Sequence, residues 1–206
     1  MIKLFYAANT CSLASLIALE EAGAEYSTVR ISFATSEQRS PEYLAINPKG
    51  RVTALVTDRG ILTETPAMLA FIAQSFPVAR LAPLDDPFAF AQVQAFNSYL
   101  CSTVHVAHAH RMPGNRWADD PAAIAEMQRK VPQSVGACFE LIERDILMEP
   151  WVMSEGYTIC DPYLFTLAGW LEGDGVDLTR LPKVMAHHRR MSERPAVRKA
   201  VAQELA

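Results

Sequence analysis

Strand-like patterning occupies only the first third of the chain, and that asymmetry constrains the fold more than any other feature. Ile2 to Tyr6 is a short apolar run. Ser12 to Ala22 follows with Leu13, Leu16, Ile17 and Leu19 at helical spacing and stops at Gly23, a residue suited to a left-handed helix end. Tyr26 to Ile31 alternates and is rich in β-formers, while Ala54 to Thr57 and Ile61 to Thr63 flank the tight turn signal Asp58-Arg59-Gly60. A helical pattern from Glu64 to about Phe76 closes this region, with Met68, Leu69, Phe71 and Ile72 on its apolar face. The expected order is β-α-β, a short helix, then β-β-α.

Pro77, Pro83 and Pro87 with Asp85-Asp86 then interrupt every regular pattern, as a linker does. Beyond them only helical periodicity remains: Pro87 to Arg111, Pro121 to about Leu147, Cys160 to Glu172, Pro182 to Met191 and Pro195 to Glu204. Prolines in first turns suit helix starts, whereas Pro132 falls inside the second pattern and should kink or break it. The expected architecture is an α/β unit over residues 1–78, a linker over 79–86 and an all-α unit over 87–206.

Half of the positions are hydrophobic, enough to bury a sizeable core, and the formal charge is −4, which offers no global attraction to nucleic acid or an anionic membrane. No run approaches the ~20 apolar residues that span a bilayer, and Met1 leads directly into a strand pattern, so a cytoplasmic chain is expected. Cys11, Cys101, Cys138 and Cys160 are scattered without a CxxC pair, arguing against both a disulfide framework and a zinc site. Gly169, Gly173 and Gly175 follow no strand, so they form no dinucleotide-binding turn.

Four strings sharpen the layout: Cys11-Ser12-Leu13 after the first strand, Leu44-Ala45-Ile46-Asn47-Pro48-Lys49-Gly50 before the third, Leu62-Thr63-Glu64 entering the third helix, and Asp161-Pro162-Tyr163-Leu164-Phe165 in the helical half. In this order, over nearly the whole chain, they resemble the cytosolic glutathione transferases, most closely the bacterial beta class. The resemblance implies a thioredoxin-like N-terminal domain that binds glutathione as co-substrate and an all-helical C-terminal domain that shapes the pocket for a small electrophile. It also implies a homodimer, with Met68, Phe71 and the Phe88 to Tyr99 region supplying apolar interface, and neither a metal nor a permanently bound cofactor.

Cys11 stands where a strand ends and a helix begins, and helix-start amides with the positive dipole end favour a thiolate. The resemblance places it beside the glutathione sulfur. Ser12 is the alternative donor to that sulfur, although a serine here equally serves as a helix cap. Glu64 and Thr65 open the third helix, where the family holds the glutamyl end of glutathione; an acid can pair the ammonium while hydroxyl and amides meet the carboxylate.

Val52-Thr53 departs from the family's Val-Pro, whose cis bond presents backbone to glutathione. The intact flanking string favours a cis bond at Thr53 even without proline. Further departures are Thr35-Ser36 in place of a frequent lysine, Leu16 in place of a histidine, and Ser98 and Thr103 where an asparagine and an acid reach glutathione from the helical side.

His105 occupies the position of a family histidine that faces the sulfur. His108 and Arg111 continue its helical face, with Arg116 beyond, and together they are assigned to the second-substrate pocket. His-x-x-His lacks a completing acid or thiol for metal. Cys101 and Cys138 read as core, His187-His188 as surface, and Thr158-x-x-Asp161 as a structural capping box. Besides conjugation, thiol-disulfide exchange through Cys11 and a non-catalytic ligand-binding role on the same fold remain open.

Overall fold

The computed structural model describes residues 1–154 and 156–205. β1 (Ile2–Tyr6), β2 (Tyr26–Arg30), β3 (Ala54–Thr57) and β4 (Gly60–Thr63) form one sheet of order β2-β1-β3-β4. β1 runs parallel to β2 and antiparallel to β3, and the β3-β4 hairpin turns at Asp58-Arg59. Parallel strands need a crossover, and α1 (Ser12–Glu21) provides it. Gly23 takes φ +62° just beyond α1, a conformation that costs glycine little.

Alternation along β1 divides the apolar material between the two faces of the sheet. Leu4 and Tyr6 enter the main core, while Phe5 joins Ile31, Tyr43 and Ala54 in a small cluster on the other side. Tyr43 comes from α2 (Pro41–Leu44), whose first turn is capped by the Ser40 hydroxyl accepting from the Tyr43 amide. α3 (Thr65–Ser75) packs on α1.

The rest of the chain is helical: α4 (Pro87–Tyr99), α5 (His105–Ala109), α6 (Pro121–Leu141), α7 (Cys160–Ala168), α8 (Pro182–Glu193) and α9 (Pro195–Leu205). α1 is buried nearly all round because α3, α7 and α9 surround it, so one apolar core runs through both halves. Among the described residues no helix is long and apolar enough to cross a membrane.

Several expectations need correction. α6 continues through Pro132 without a break. Pro132 and Gln128 are both exposed, so the carbonyl deprived of its helical partner meets water. The long pattern from Pro87 is instead divided at Leu100–Val104, a wide π turn between α4 and α5. His187 is not a surface residue: it is fully buried and its Nε2 lies 2.9 Å from Asp161 Oδ1, while His188 is half-buried and stacks on Phe165.

Asp161 is the capping-box acid, and its role is larger than a cap. Its carboxylate accepts from the Val152 and Thr158 amides at 2.9 and 2.7 Å as well as from His187. The Thr158 hydroxyl in turn accepts from the Cys160 amide, and Cys160 is fully buried.

Met68, assigned to the dimer interface, is fully buried within the single chain and has no surface to offer a partner. Phe71 retains partial exposure and Phe88 is 74% exposed.

Candidate functional site

A cavity of about 800 Å³ opens between the sheet-containing half and the helical half. Its first wall is built from chain ends of the sheet: Asn9, Thr10 and Cys11 after β1, Arg51 to Thr53 before β3, and Glu64-Thr65 where β4 passes into α3. Its second wall comes from α5 and the segments beyond it, with His105, His108, Arg116 and Trp170.

Cys11 is the N-cap residue of α1, and its thiol donates toward the Val52 carbonyl at a sulfur-oxygen distance of 4.0 Å. Burial opposes the thiolate stabilisation expected at a helix start. Burial pushes the thiol up to about 11, and the opposing Thr65 hydroxyl does not restore it. At neutral pH Cys11 is therefore an S–H donor. Desolvation outweighs the helix-start dipole because the side chain is only 7% exposed.

Ser12 does not line the cavity. It is fully buried, its Oγ donates to the Ala7 carbonyl at 3.0 Å and accepts from the Ala7 amide at 3.2 Å, and Thr10 Oγ1 is 2.7 Å away. Its hydroxyl is occupied in the β1-α1 turn, where it neither faces the cavity nor caps α1, whose N-cap is Cys11.

The Val52-Thr53 peptide is cis, as the flanking string indicated. Thr53 Oγ1 donates to the Phe5 carbonyl at 2.8 Å, an anchor to β1 that proline could not make. Asn47 and Tyr43 hold the same loop by donating to the Arg51 carbonyl at 2.6 and 2.8 Å.

Glu64 precedes α3 with φ +73°, a costly conformation for a residue with a Cβ and one that concentrates at ligand sites. Its exposed carboxylate lies 2.6 Å from Lys49 Nζ, while Thr65 is buried at the helix start. An acid beside free helix-start amides and a hydroxyl can hold a zwitterionic α-amino acid head.

On the opposite wall, burial first, and then the neighbouring His108, Arg116 and Arg51, depress the His105 imidazole to about 4. His105 is a neutral polar group at physiological pH. His108 stacks on Trp170 at 4.3 Å, and its Nδ1 lies 2.8 Å from a carboxylate oxygen of Asp174, whose side chain is almost wholly buried. Arg111 does not line the cavity: its Nη1 turns to Asp174 at 3.3 Å, behind His108.

Ser98 and Thr103 are likewise absent from the cavity wall of this chain. Both are exposed, and the Ser98 carbonyl accepts from Ser102 within the helix. Cys101 was assigned to the core, yet it is only half-buried and lines the cavity with Cys11, because the π turn rotates it toward that space. Cys138 is half-buried against the core. Arg39, Arg51, Trp170 and Asp174 were missed by sequence reasoning, since they lie far apart in the chain and carry no local motif, and Tyr163 was read only as part of the Asp161 to Phe165 string. Among the described residues no group of three or more His, Cys, Asp or Glu could hold a metal ion.

The depressed His105 value has a consequence for stability. The unfolded chain binds more protons between about pH 6.5 and 4, so this contribution is complete above 6.5 and disappears as pH falls toward 4. Water in the cavity reduces the effect to about 2 kcal/mol. Unfolding free energies from urea titrations at pH 7 and 4.5 are expected to differ less for His105→Gln than for the wild type by that amount. Equal differences would show that His105 titrates normally.

With this geometry in place, relatives can be compared. Residues 2–74 match the family model described as glutathione S-transferase, N-terminal domain. Glutathione S-transferase GstA of Escherichia coli O157:H7 is 30% identical, with 98% of each chain aligned. A glutathione transferase homologue from Sulfitobacter, solved with bound glutathione, superposes with a TM-score of 0.96 at 44% identity, covering 100% of this chain and 99% of that one. The beta-class glutathione S-transferase of Sphingomonas chungbukensis gives a TM-score of 0.86 at 31% identity, with 98% of each chain covered. A thioredoxin-like sheet unit, a helical second half and these relatives agree along the length of the chain, which belongs to the cytosolic glutathione transferase superfamily.

Proposed function

We propose that this protein is an enzyme that conjugates glutathione to a small electrophile, with no metal or redox cofactor in the reaction. One observation carries the reading: a single cavity joins an amino-acid-binding corner at Glu64-Thr65 to a sulfur donor at Cys11, and faces both with a separate aromatic and basic wall. Residues 1–78 act as the glutathione-binding domain, 79–86 as linker and 87–206 as the domain that admits the electrophile.

Glutathione lies along the first wall. Glu64 pairs its ammonium, Thr65 and the α3 amides donate to its glutamyl carboxylate, and the Val52 backbone meets its cysteinyl peptide. The Cys11 S–H donates to the thiolate and so lowers its energy. The thiolate attacks the electrophilic carbon, forming the S–C bond, and the leaving group departs with its electron pair. The thiol proton goes to solvent.

Glutathione titrated calorimetrically and turnover of 1-chloro-2,4-dinitrobenzene followed by absorbance test this directly. Binding with measurable conjugation is expected; absence of both overturns the reading. Thiol-disulfide exchange is the second reading, favoured by the presence of Cys101 on the same cavity wall system as Cys11. A neutral, buried Cys11 thiol makes it the weaker of the two.

The enzyme works as a cytoplasmic homodimer in this reading. Phe88 and Val78, exposed by 74% and 94% at the start of α4 and in the turn after α3, supply apolar surface for the interface. Light scattering at micromolar concentration is expected to give twice the chain mass, and a monomer would exclude it.

A further inference from the structure

We propose that the electrophile is an unsaturated or aromatic carboxylic acid whose carboxylate is held by Arg116. The inference rests on the conjugation reading above and specifies the class of its second substrate.

Charge is distributed unevenly around the cavity. Arg39, Lys49, Arg51 and Arg116 line it against a single carboxylate, Glu64, and that carboxylate is engaged by Lys49 at 2.6 Å. Among the described residues, no acidic side chain lies within ion-pairing distance of Arg39, Arg51 or Arg116. Three uncompensated guanidinium groups facing one cavity run against a chain whose formal charge is −4. The repulsion among them is relieved by anions.

Glutathione supplies two carboxylates, and the first wall accounts for both. The glutamyl carboxylate meets Thr65 and the α3 amides, and the glycyl carboxylate is within the province of Arg39 and Arg51, which flank the same wall. Arg116 belongs to the other wall. It lies in the turn Gly114–Arg116 beyond α5, near enough to His105 to bear on its protonation and with its guanidinium 5.5 Å from the Trp117 ring centroid. A planar guanidinium offers a carboxylate two parallel hydrogen bonds.

The same wall is built for a flat molecule. Trp170 lies 4.3 Å from His108 and 5.2 Å from His105, centroid to centroid, forming an aromatic surface. Asp174 fixes the His108 ring through Nδ1, and Arg111 balances Asp174 from behind. The basic wall therefore keeps its orientation without a carboxylate entering the cavity to neutralise Arg116. A conjugated acid can stack on these rings while its carboxylate reaches the guanidinium.

The matched probes are 4-chloro-3-nitrobenzoate and 4-chloro-3-nitrobenzamide, which share the reacting carbon and differ in charge. In both the glutathione thiolate adds to the carbon bearing chlorine, the S–C bond forms, the C–Cl bond breaks and chloride leaves without any redox change. Each kcat/KM is divided by the rate constant of the uncatalysed reaction with glutathione, which removes the intrinsic difference between the rings.

The wild type is expected to favour the acid by at least about tenfold, a little over 1 kcal/mol of differential binding. Arg116→Gln is expected to bring the ratio near one, and Arg116→Lys to retain part of it. Arg116 is exposed, so neither change disturbs the core. A wild-type ratio at or below one overturns the proposal, as does an Arg116→Gln variant that keeps the preference. A tenfold rise in KM for glutathione in Arg116→Gln assigns the guanidinium to glutathione and overturns it too. If 1-chloro-2,4-dinitrobenzene is conjugated and both probes are refused, this proposal fails while the transferase reading stands. If none of the three reacts and glutathione does not bind, the transferase reading fails as well.

Discussion

Asp161→Ala is expected to destabilise the folded protein by about 3–5 kcal/mol, a large fraction of the stability of an ordinary domain. The carboxylate is fully buried and satisfies three close donors at once, the Val152 amide, the Thr158 amide and His187 Nε2, with the Thr158 hydroxyl also donating at 3.4 Å. Truncation leaves all three without an acceptor in a dry interior, where each costs about 1–3 kcal/mol. His187 Nδ1 already lacks a partner, so the ring has no second bond to fall back on. Thr158→Ala removes only the hydroxyl that caps α7 and should cost about 1 kcal/mol. Urea denaturation of both variants separates the two magnitudes, and a loss below 1 kcal/mol for Asp161→Ala would mean that water replaces the carboxylate. Function follows stability here, because α7 carries Tyr163 to the cavity and leads to Trp170 and Asp174.

Cys11 should behave as a slow thiol, contrary to what its place at a helix start suggests. Raising the thiol from 9.0 to about 11 lowers its thiolate fraction at neutral pH roughly 100-fold. The more basic thiolate is intrinsically more nucleophilic, which returns about tenfold of that loss. Alkylation by iodoacetamide at pH 7.5 is expected to run about tenfold slower than for an unhindered cysteine and to keep rising beyond pH 9.5. A plateau near pH 7 in rates measured site by site would show that the helix dipole prevails over burial. The same S–H should support conjugation, so Cys11→Ala is expected to lower kcat/KM about tenfold and Cys11→Ser, which restores a donor, to recover most of it.

The resemblance at Thr53 was legible because the loop Asn47 to Val52 keeps its residues, and the observed hydroxyl bond to Phe5 shows how threonine holds the position. Ser12 illustrates the opposite case. A serine at a strand-to-helix turn can donate to a ligand or to the turn, and only the coordinates of Ala7 and Thr10 show that its hydroxyl is taken. Periodicity placed Cys101 on an apolar helix, but a one-residue widening at Leu100–Val104 changes which face the side chain occupies, and no residue type signals such a turn.

What the sequence determined by itself is what short-range physics controls. Alternation over Tyr26 to Arg30, the Asp-Arg-Gly turn, the glycine after α1 and the proline-initiated helices each act within a few residues, so the element order could be read directly. The Thr158-Asp161 cap belongs to the same class. Only tertiary structure decided the charge and burial of the site. His187 became core because α8 packs on α7, Met68 was sequestered by its own chain, and Arg39, Arg51 and Arg116 met around one cavity from three separate segments. Desolvation and Coulomb interaction depend on what surrounds a group in space, and a thiol that sits at a favourable helix start can still be held neutral when packing removes the water around it.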